Sequence, residues 1–544
     1  MRPKCLFCLD YLEFVLKETM IKRRTRRLTV SKNYLIGIDI GTMGTKTAIF
    51  STDGNIVSDA FEDSNLIRPK LGIVEQDPDE IYNSVMNTIR QVVKKSGIYP
   101  REIAGIGLDG QMAGILGIDK DWNAVTHYDS WLDTRCEPYI QTMKEKAGDE
   151  VLAITGCPVT YAHGPKILWW QKEKPDIFSK IDKFVVPTTY IAGRMTGLKG
   201  KDAYIDYTQL HFSGFGDVQK LSWSETITKC FNIPAEKLPN IIHPWKIIGE
   251  LTSKCADECG LIAGIPVVAG AGDQPAGSLG AGIVRKGQIF DVAGTASVFS
   301  CCVNAFKPDI ENKTIIFSRS VLPDLWIPLA YINGGGLCLR WFRDEFAGKN
   351  CWNENTTTAR YEVLNEEAEK VPAGAEGLLF LPHLGGRVCP NDQNIRGAWV
   401  GFTWSHTPAH FYRAIMEGIA FEYAYYLSIL KALFEDIQLA EVRVIGGGAK
   451  SKLFNTIKAD VLGIPYLPLA KPDIAVFGSA VIAGYGVGIY RNFESAVENA
   501  IPHGDVIIPN TERHNLYKEY LDAYIGLFDN LRGTFQKLTH ASNG

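Results

Sequence analysis

Tyr34-Leu35-Ile36-Gly37-Ile38-Asp39-Ile40-Gly41-Thr42-Met43-Gly44-Thr45-Lys46-Thr47-Ala48-Ile49-Phe50 is an apolar run that enters a turn of glycine and threonine and leaves as a second apolar run. A turn signal, Thr52-Asp53-Gly54-Asn55, then leads into Ile56-Val57, so the reading is strand, glycine-rich turn, strand, turn, strand. A phosphate loop or dinucleotide fingerprint would run from a strand into a helix instead. The stretch therefore predicts a β-hairpin that opens a sheet.

The same device returns some 250 residues further on, at Gln288-Ile289-Phe290-Asp291-Val292-Ala293-Gly294-Thr295-Ala296-Ser297-Val298-Phe299-Ser300. Apolar strand, Asp, Gly-Thr turn and returning strand recur in order, which predicts a duplicated domain whose second copy begins near Val284-Arg285-Lys286. Between and after the hairpins lie further apolar strands, Ile103 to Leu108 and Ile265 to Ala269. A helix opens at Thr407-Pro408, a good N-cap and first-turn pair, and runs to about Phe434. Such alternation predicts α/β layers. A chain of 544 residues is too long for one ordinary core. Three regions are expected: an N-terminal extension (1–33), a first domain (34–284) and a second domain (285–540).

Composition excludes several function classes. A net charge of −4 gives no footprint for nucleic acid or an acidic membrane. The sequence has no uninterrupted apolar segment of the roughly 20 residues that a membrane-spanning helix needs, so no membrane partner is expected. Twelve cysteines without a repeating spacing read as reduced thiols in a cytoplasm. Cys5 and Cys8 form a lone CxxC without a second half-site, short of a structural zinc set.

Glycine and threonine at the hairpin turns present backbone N–H groups and hydroxyls at close range, suited to a polyphosphate. Lys46 adds positive charge, and Asp39 at a strand end can hold Mg²⁺ or its water shell. One such turn is commonly structural. Two facing each other make a clamp. In Val268-Ala269-Gly270-Ala271-Gly272-Asp273-Gln274-Pro275 a carboxylate sits among tiny residues after a strand, where it can accept a hydroxyl proton. It can equally cap a helix opening at Pro275, and both readings can hold together.

Four blocks in this order, the hairpin from Asp39 to Lys46, Gly272-Asp273-Gln274, the Gly294-Thr295 turn and Ile445-Gly446-Gly447-Gly448-Ala449 followed by Ala459-Asp460, resemble the FGGY carbohydrate kinases, from about Tyr34 to Phe535. Lys166-Ile167-Leu168-Trp169 and Gly397 through His410 to Glu417 resemble the two family signatures, with His163 and Phe402 as departures. The resemblance implies a two-domain actin/hexokinase-like, ribonuclease H-like fold with a duplicated core and an interdomain catalytic cleft. It also implies ATP with Mg²⁺ as cofactors and a small sugar as substrate, and it is compatible with a homodimer.

By matching position the resemblance assigns Asp273 as catalytic base and Asp39 to Mg²⁺ and the transferring phosphoryl. It places Thr42, Gly44, Thr45, Lys46 and Thr295 on the phosphate path, and Gly336, Arg340, Gly448 and Lys452 around ADP. Gln111, Met112, Ala113, Trp131, Asp133, Tyr161 and Gln274 fall on the sugar side. Ala113 stands where family members acting on xylulose carry His, which removes a hydrogen-bond partner. The expected reaction is phosphorylation of a ketopentose such as D-xylulose. Another ketose, a polyol or an aldonate is the alternative, and a silent nucleotide-binding regulator on the same fold is a further one. His383 and His410 are expected at the surface or in caps, and Asp392 and the Trp169-Trp170 pair in structural roles.

Overall fold

The computed structural model describes residues 32–346, 357–471, 473–498 and 500–542. Cys5 and Cys8, with nearly all of the expected extension, lie outside the described residues. The first sheet contains β1 (Tyr34–Ile40), β2 (Gly44–Ser51), β3 (Ile56–Asp63), β4 (Ile103–Gly110), β5 (Ile247–Glu250), β6 (Pro266–Val268) and β7 (Ala271–Gly272). Its order is β5-β6-β4-β1-β2-β3, with β7 beside β4. The second sheet contains β8 (Ile289–Ala293), β9 (Ser297–Cys301), β10 (Ile316–Arg319), β11 (Trp326–Ile332), β12 (Val442–Ile445) and β13 (Tyr466–Pro468), in the order β10-β11-β9-β8-β12-β13.

The duplication is visible in the pairing. In the first sheet β1 and β2 and then β2 and β3 pair antiparallel, while β1–β4 and β4–β6 pair parallel. In the second, β8–β9 and β9–β11 are antiparallel, and β8–β12 and β12–β13 parallel. Five strands thus repeat with the same order and polarity. Both glycine-threonine hairpins, β1–β2 and β8–β9, stand in the same place in their sheets.

Helices cover the sheets where sequence signals start and stop them. Helix α1 (Pro78–Ser96) begins with the Asp77 carboxylate accepting from Asp79 N–H at 2.8 Å and ends at Gly97 with φ 68°. Then come α2 (Asp273–Gly280), α3 (Gly335–Glu345), α4 (Thr357–Glu369) and α5 (Pro408–Leu433). Helix α5 has Thr407 as N-cap and Phe434 as C-cap, as expected. Last are α6 (Lys452–Leu462), α7 (Ile474–Gly486) and the long α8 (Thr511–Ser542). Helix α8 is tied down by Tyr517 and Tyr524, whose hydroxyls donate to buried Glu417 and Glu422 of α5 at 2.7 Å each.

Helix α7 belongs to the second half of the chain but packs on the first sheet. A Cβ on Gly107 of β4 would lie 2.1 Å from the Ser479 carbonyl oxygen, and one on Gly280 of α2 would lie 1.9 Å from that of Ile474. Backbones approach this closely only where side chains are absent, and the contact pins α2 and α7 together over β1 and β4. Gly107→Ala should therefore overpack the layer and lower the urea midpoint by an amount worth about 1–3 kcal/mol. Gly533→Ala in α8, whose Cβ would meet nothing within 4 Å, should be neutral or stabilising. An unshifted midpoint for Gly107→Ala would show that the α7 contact is loose.

Candidate active site

Parallel pairing of β1 with β4 sets Asp39 directly beside Asp109, and α2 begins at Asp273, one residue after β7, which pairs with β4. Three carboxylates thus gather where β1, β4 and β7 end. Asp273 is half-buried, and its Oδ1 accepts from Gln274 N–H at 2.6 Å. It is the first residue of its helix, whose N-cap is Gly272 and which has no side-chain cap, so Asp273 opens the helix itself instead of capping one at Pro275. Burial, then the nearby Asp39 charge, push its pKa up to about 7, against the smaller pull of the Gln274 N–H.

Burial also pushes Asp39 up to about 6, opposed by a hydrogen bond from Asp109 and by Lys46. Asp109 is raised well above the carboxylate range by burial and by Asp39. Burial and the neighbouring Asp39 charge thus favour its protonated form. Its Oδ2 accepts from Ser479 Oγ of α7 at 2.5 Å. Asp39 Oδ1 and Asp109 Oδ1 are buried with no hydrogen-bond partner. Asp39 Oδ1 is thus an open acceptor fit for a hydrated divalent cation. Among the described residues no group of three ligating side chains forms a ready-made cage. That suits Mg²⁺, which keeps several waters and takes one or two carboxylates plus phosphate oxygens.

Thr42 accepts from Trp131 Nε1 at 2.8 Å and donates to Gln111 Oε1 at 3.2 Å, while Gln111 Nε2 donates to Gln76 Oε1 at 2.6 Å. Trp131 is 41% exposed. Lys46 pairs with Asp473, which precedes α7 with φ 60°. Thr45 turns inward instead, its hydroxyl 2.7 Å from Ser84 Oγ of α1. Gly44 is small for β3, since a Cβ there would lie 2.4 Å from the Glu62 carbonyl oxygen.

Other expected sugar residues divide. Met112 is buried against Gly272, beside Asp273, and Ala113 takes a left-handed backbone with φ 64°. Gln274 is half-buried next to the base. Asp133 is unavailable: it is fully buried, and its oxygens accept from Val74 N–H and from Arg135. Lys166 holds the same loop by donating to the Ser130 and Asp133 carbonyls at 2.9 Å. Tyr161 packs against the apolar cluster around Met143 and Ile167, with its hydroxyl toward Glu137.

A cavity of about 580 Å³ lies in the second half. Gly294, Thr295, Gly336, Arg340 and Gly448 line it over an apolar floor of Leu339, Tyr412, Met416 and Phe454. Lys450 and Ser451 line it rather than Lys452, which is exposed at the start of α6. Gly336 N–H donates to the Gly294 carbonyl at 3.1 Å, and a Cβ on Gly336 would fall 2.2 Å from that oxygen. Tyr361, Glu362 and Asn365 of α4 complete the wall. Asp291, the apparent partner of Asp39 in the second hairpin, has another role. It is buried in an ion pair with Lys458 and accepts from Tyr423. His383 is also buried, 3.6 Å from Glu422, and not at the surface. His410 does cap α5.

The FGGY N-terminal domain model matches residues 34–280, and the FGGY C-terminal domain model matches residues 292–487. The chain belongs to the FGGY family of carbohydrate kinases. A xylulose kinase of Bacillus subtilis is 29% identical over 91% of this chain and 96% of its own. A gluconokinase of the same organism is 27% identical over 94% of this chain and 99% of its own. The crystal structure of a xylulose kinase from Rhodospirillum rubrum superposes with a TM-score of 0.84 at 25% identity, covering 92% of this chain and all of that one. This FGGY protein is therefore an actin/hexokinase-like sugar phosphotransferase with ATP as phosphate donor. Among its described residues no helix is long and apolar enough to cross a membrane.

Proposed function

We propose that this kinase transfers the γ-phosphoryl group of Mg·ATP to a hydroxyl of a ketopentose such as D-xylulose, at the cleft between a domain of residues 34–284 and one of residues 285–540. One observation carries the mechanism: the half-buried Asp273 carboxylate opens α2 where β1, β4 and β7 end, beside Asp39, a setting in which burial and that neighbouring charge raise its pKa to about 7. Asp273 accepts the proton of the attacking hydroxyl. A base poised near the working pH combines adequate basicity with a deprotonated resting state. Asp39, through its open Oδ1, would hold the hydrated metal. When bound, Mg²⁺ supplies neutralisation of charge on the β- and γ-phosphate oxygens.

The remaining residues orient and enclose. Thr42 and Lys46 from the first hairpin and Gly294 and Thr295 from the second lie on the phosphate path, with Lys46 leaving Asp473 for the phosphates. Gly336, Arg340 and Gly448 hold ADP in the cavity, and Lys450 and Ser451 join them. Trp131 offers an apolar face to the sugar, and Gln111 sets Thr42 in place through its buried hydrogen bonds. The xylulose kinase relatives support a ketopentose. The gluconokinase relatives and Ala113, where a histidine would bring another donor, support an aldonate as the second reading.

ADP release measured across about twenty ketoses, polyols and sugar acids separates these readings. The highest kcat/KM is expected for a ketopentose. A sugar acid preferred by tenfold or more would replace that assignment, and no turnover with any compound would favour the silent regulator.

A further inference from the structure

The cavity that takes the nucleotide is built mostly from the duplicated core: the β8–β9 turn, the start of α3 and the glycine run after β12. Helix α4 is an addition to that core. It places Tyr361 and Asn365, four residues apart and so on one face of the helix, against the same space. Asn365 is the only side-chain carboxamide of the lining residues. Its Oδ1 is buried and meets no donor. An unsatisfied buried carbonyl is costly, and such a group calls for a partner that arrives from outside.

The other polar groups of the cavity are disposed differently. Thr295, Ser297, Lys450, Ser451 and the glycine backbone cluster at or beside the turns that carry the phosphates in the reading above, and Arg340 and Glu362 are exposed. The apolar floor of Leu339, Met416 and Phe454 suits a flat ring. A carboxamide can accept from an exocyclic amino group and donate to the adjacent ring nitrogen at the same time, a pair of contacts that matches adenine. Guanine offers two acceptors on the corresponding edge, so one of the two contacts fails. The last torsion of a carboxamide is broad and roughly two-fold, so a half-turn about it would exchange Oδ1 with Nδ2 at the cavity that Asn365 lines.

We propose that Asn365 is a specificity-determining residue for the nucleotide: its carboxamide reads the amino edge of adenine and makes this kinase prefer adenine over guanine nucleotides. The inference rests on the assignment of this cavity to the nucleotide. Tyr361, one turn earlier, forms the neighbouring wall. Its ring is covered on one side by the Arg343 guanidinium, 4.7 Å from the ring centroid, which holds it in place for the base.

The test is calorimetric titration of the full chain with Mg·ADP and with Mg·GDP, so no sugar is required. Wild type should bind ADP more tightly than GDP by about tenfold to a hundredfold, the range for one bidentate contact to a base. Asn365→Leu, which keeps the volume and removes both polar groups, should weaken ADP by that factor, leave GDP nearly unchanged and so erase the preference. Asn365→Ala provides the same reading should the leucine variant not fold, with thermal melting of the free protein as the check. An unchanged ADP-to-GDP ratio in a folded variant overturns the proposal, and so does equal binding of the two by wild type. Failure of wild type to bind either nucleotide would overturn the assignment of the cavity, and the proposal with it.

Discussion

Asp273→Asn is expected to phosphorylate the best substrate at least a hundredfold, and up to about ten-thousandfold, more slowly than wild type, with ADP affinity unchanged. The substitution keeps the shape of the side chain and removes its basicity. The cavity in the second half does not include residue 273, so nucleotide binding has no reason to move. The pH dependence follows in sign. A base must be deprotonated to act, and a carboxylate raised to about 7 by burial and by Asp39 is largely protonated below that pH. Wild-type kcat/KM should climb as pH rises through about 7 and level off above it, and Asp273→Asn should lose that limb. Retention of more than about a tenth of kcat, or the same acidic limb in the variant, would move the base elsewhere.

Much of this arrangement was legible before any coordinates because it is local in sequence. The two hairpins, the strand Ile103–Gly110, the helix Pro408–Leu433 and the placement of Asp273 among small residues after a strand each rest on a few neighbouring positions. What escaped was non-local. Asp109 matters because parallel pairing sets it beside Asp39, 70 positions earlier. The available signal was a carboxylate at the end of an all-apolar strand. Ser479 reaches Asp109 on β4, and Asp473 reaches Lys46 on the first hairpin, only because α7 crosses to the first sheet, and no spacing in the sequence announces that crossing.

Asp133, expected on the sugar side, is fully buried with a cationic partner, Arg135, as Asp291 of the second hairpin is with Lys458. A buried carboxylate must be paired, and a sequence does not display which side chain supplies the pair. Thr45 was misplaced by strand alternation. Along β2 Lys46 faces the cleft, so its neighbour Thr45 faces the opposite side, toward α1.

Asp39→Asn provides the second large effect and separates two roles that Asp39 combines. As the metal-holding group, Asp39 lends a charge that a carboxamide cannot. Loss of one such preorganised electrostatic contact costs roughly a hundredfold to a thousandfold in kcat, and half-saturation should need more Mg²⁺. As a neighbour of Asp273, however, Asp39 has the opposite influence, because its negative charge helps to raise the pKa of the base. Removing that charge should lower the pKa of Asp273 and shift the acidic limb of kcat/KM to lower pH, even as the rate falls. A purely structural role would predict neither shift. The experiment is a pH profile of the variant at several Mg²⁺ concentrations. If the limb stays in place and the Mg²⁺ requirement is unchanged while activity is lost, Asp39 only supports the fold. If activity and both profiles match wild type, metal and phosphoryl charge must be carried by other groups, and Asp109, the remaining carboxylate at these strand ends, becomes the next residue to substitute.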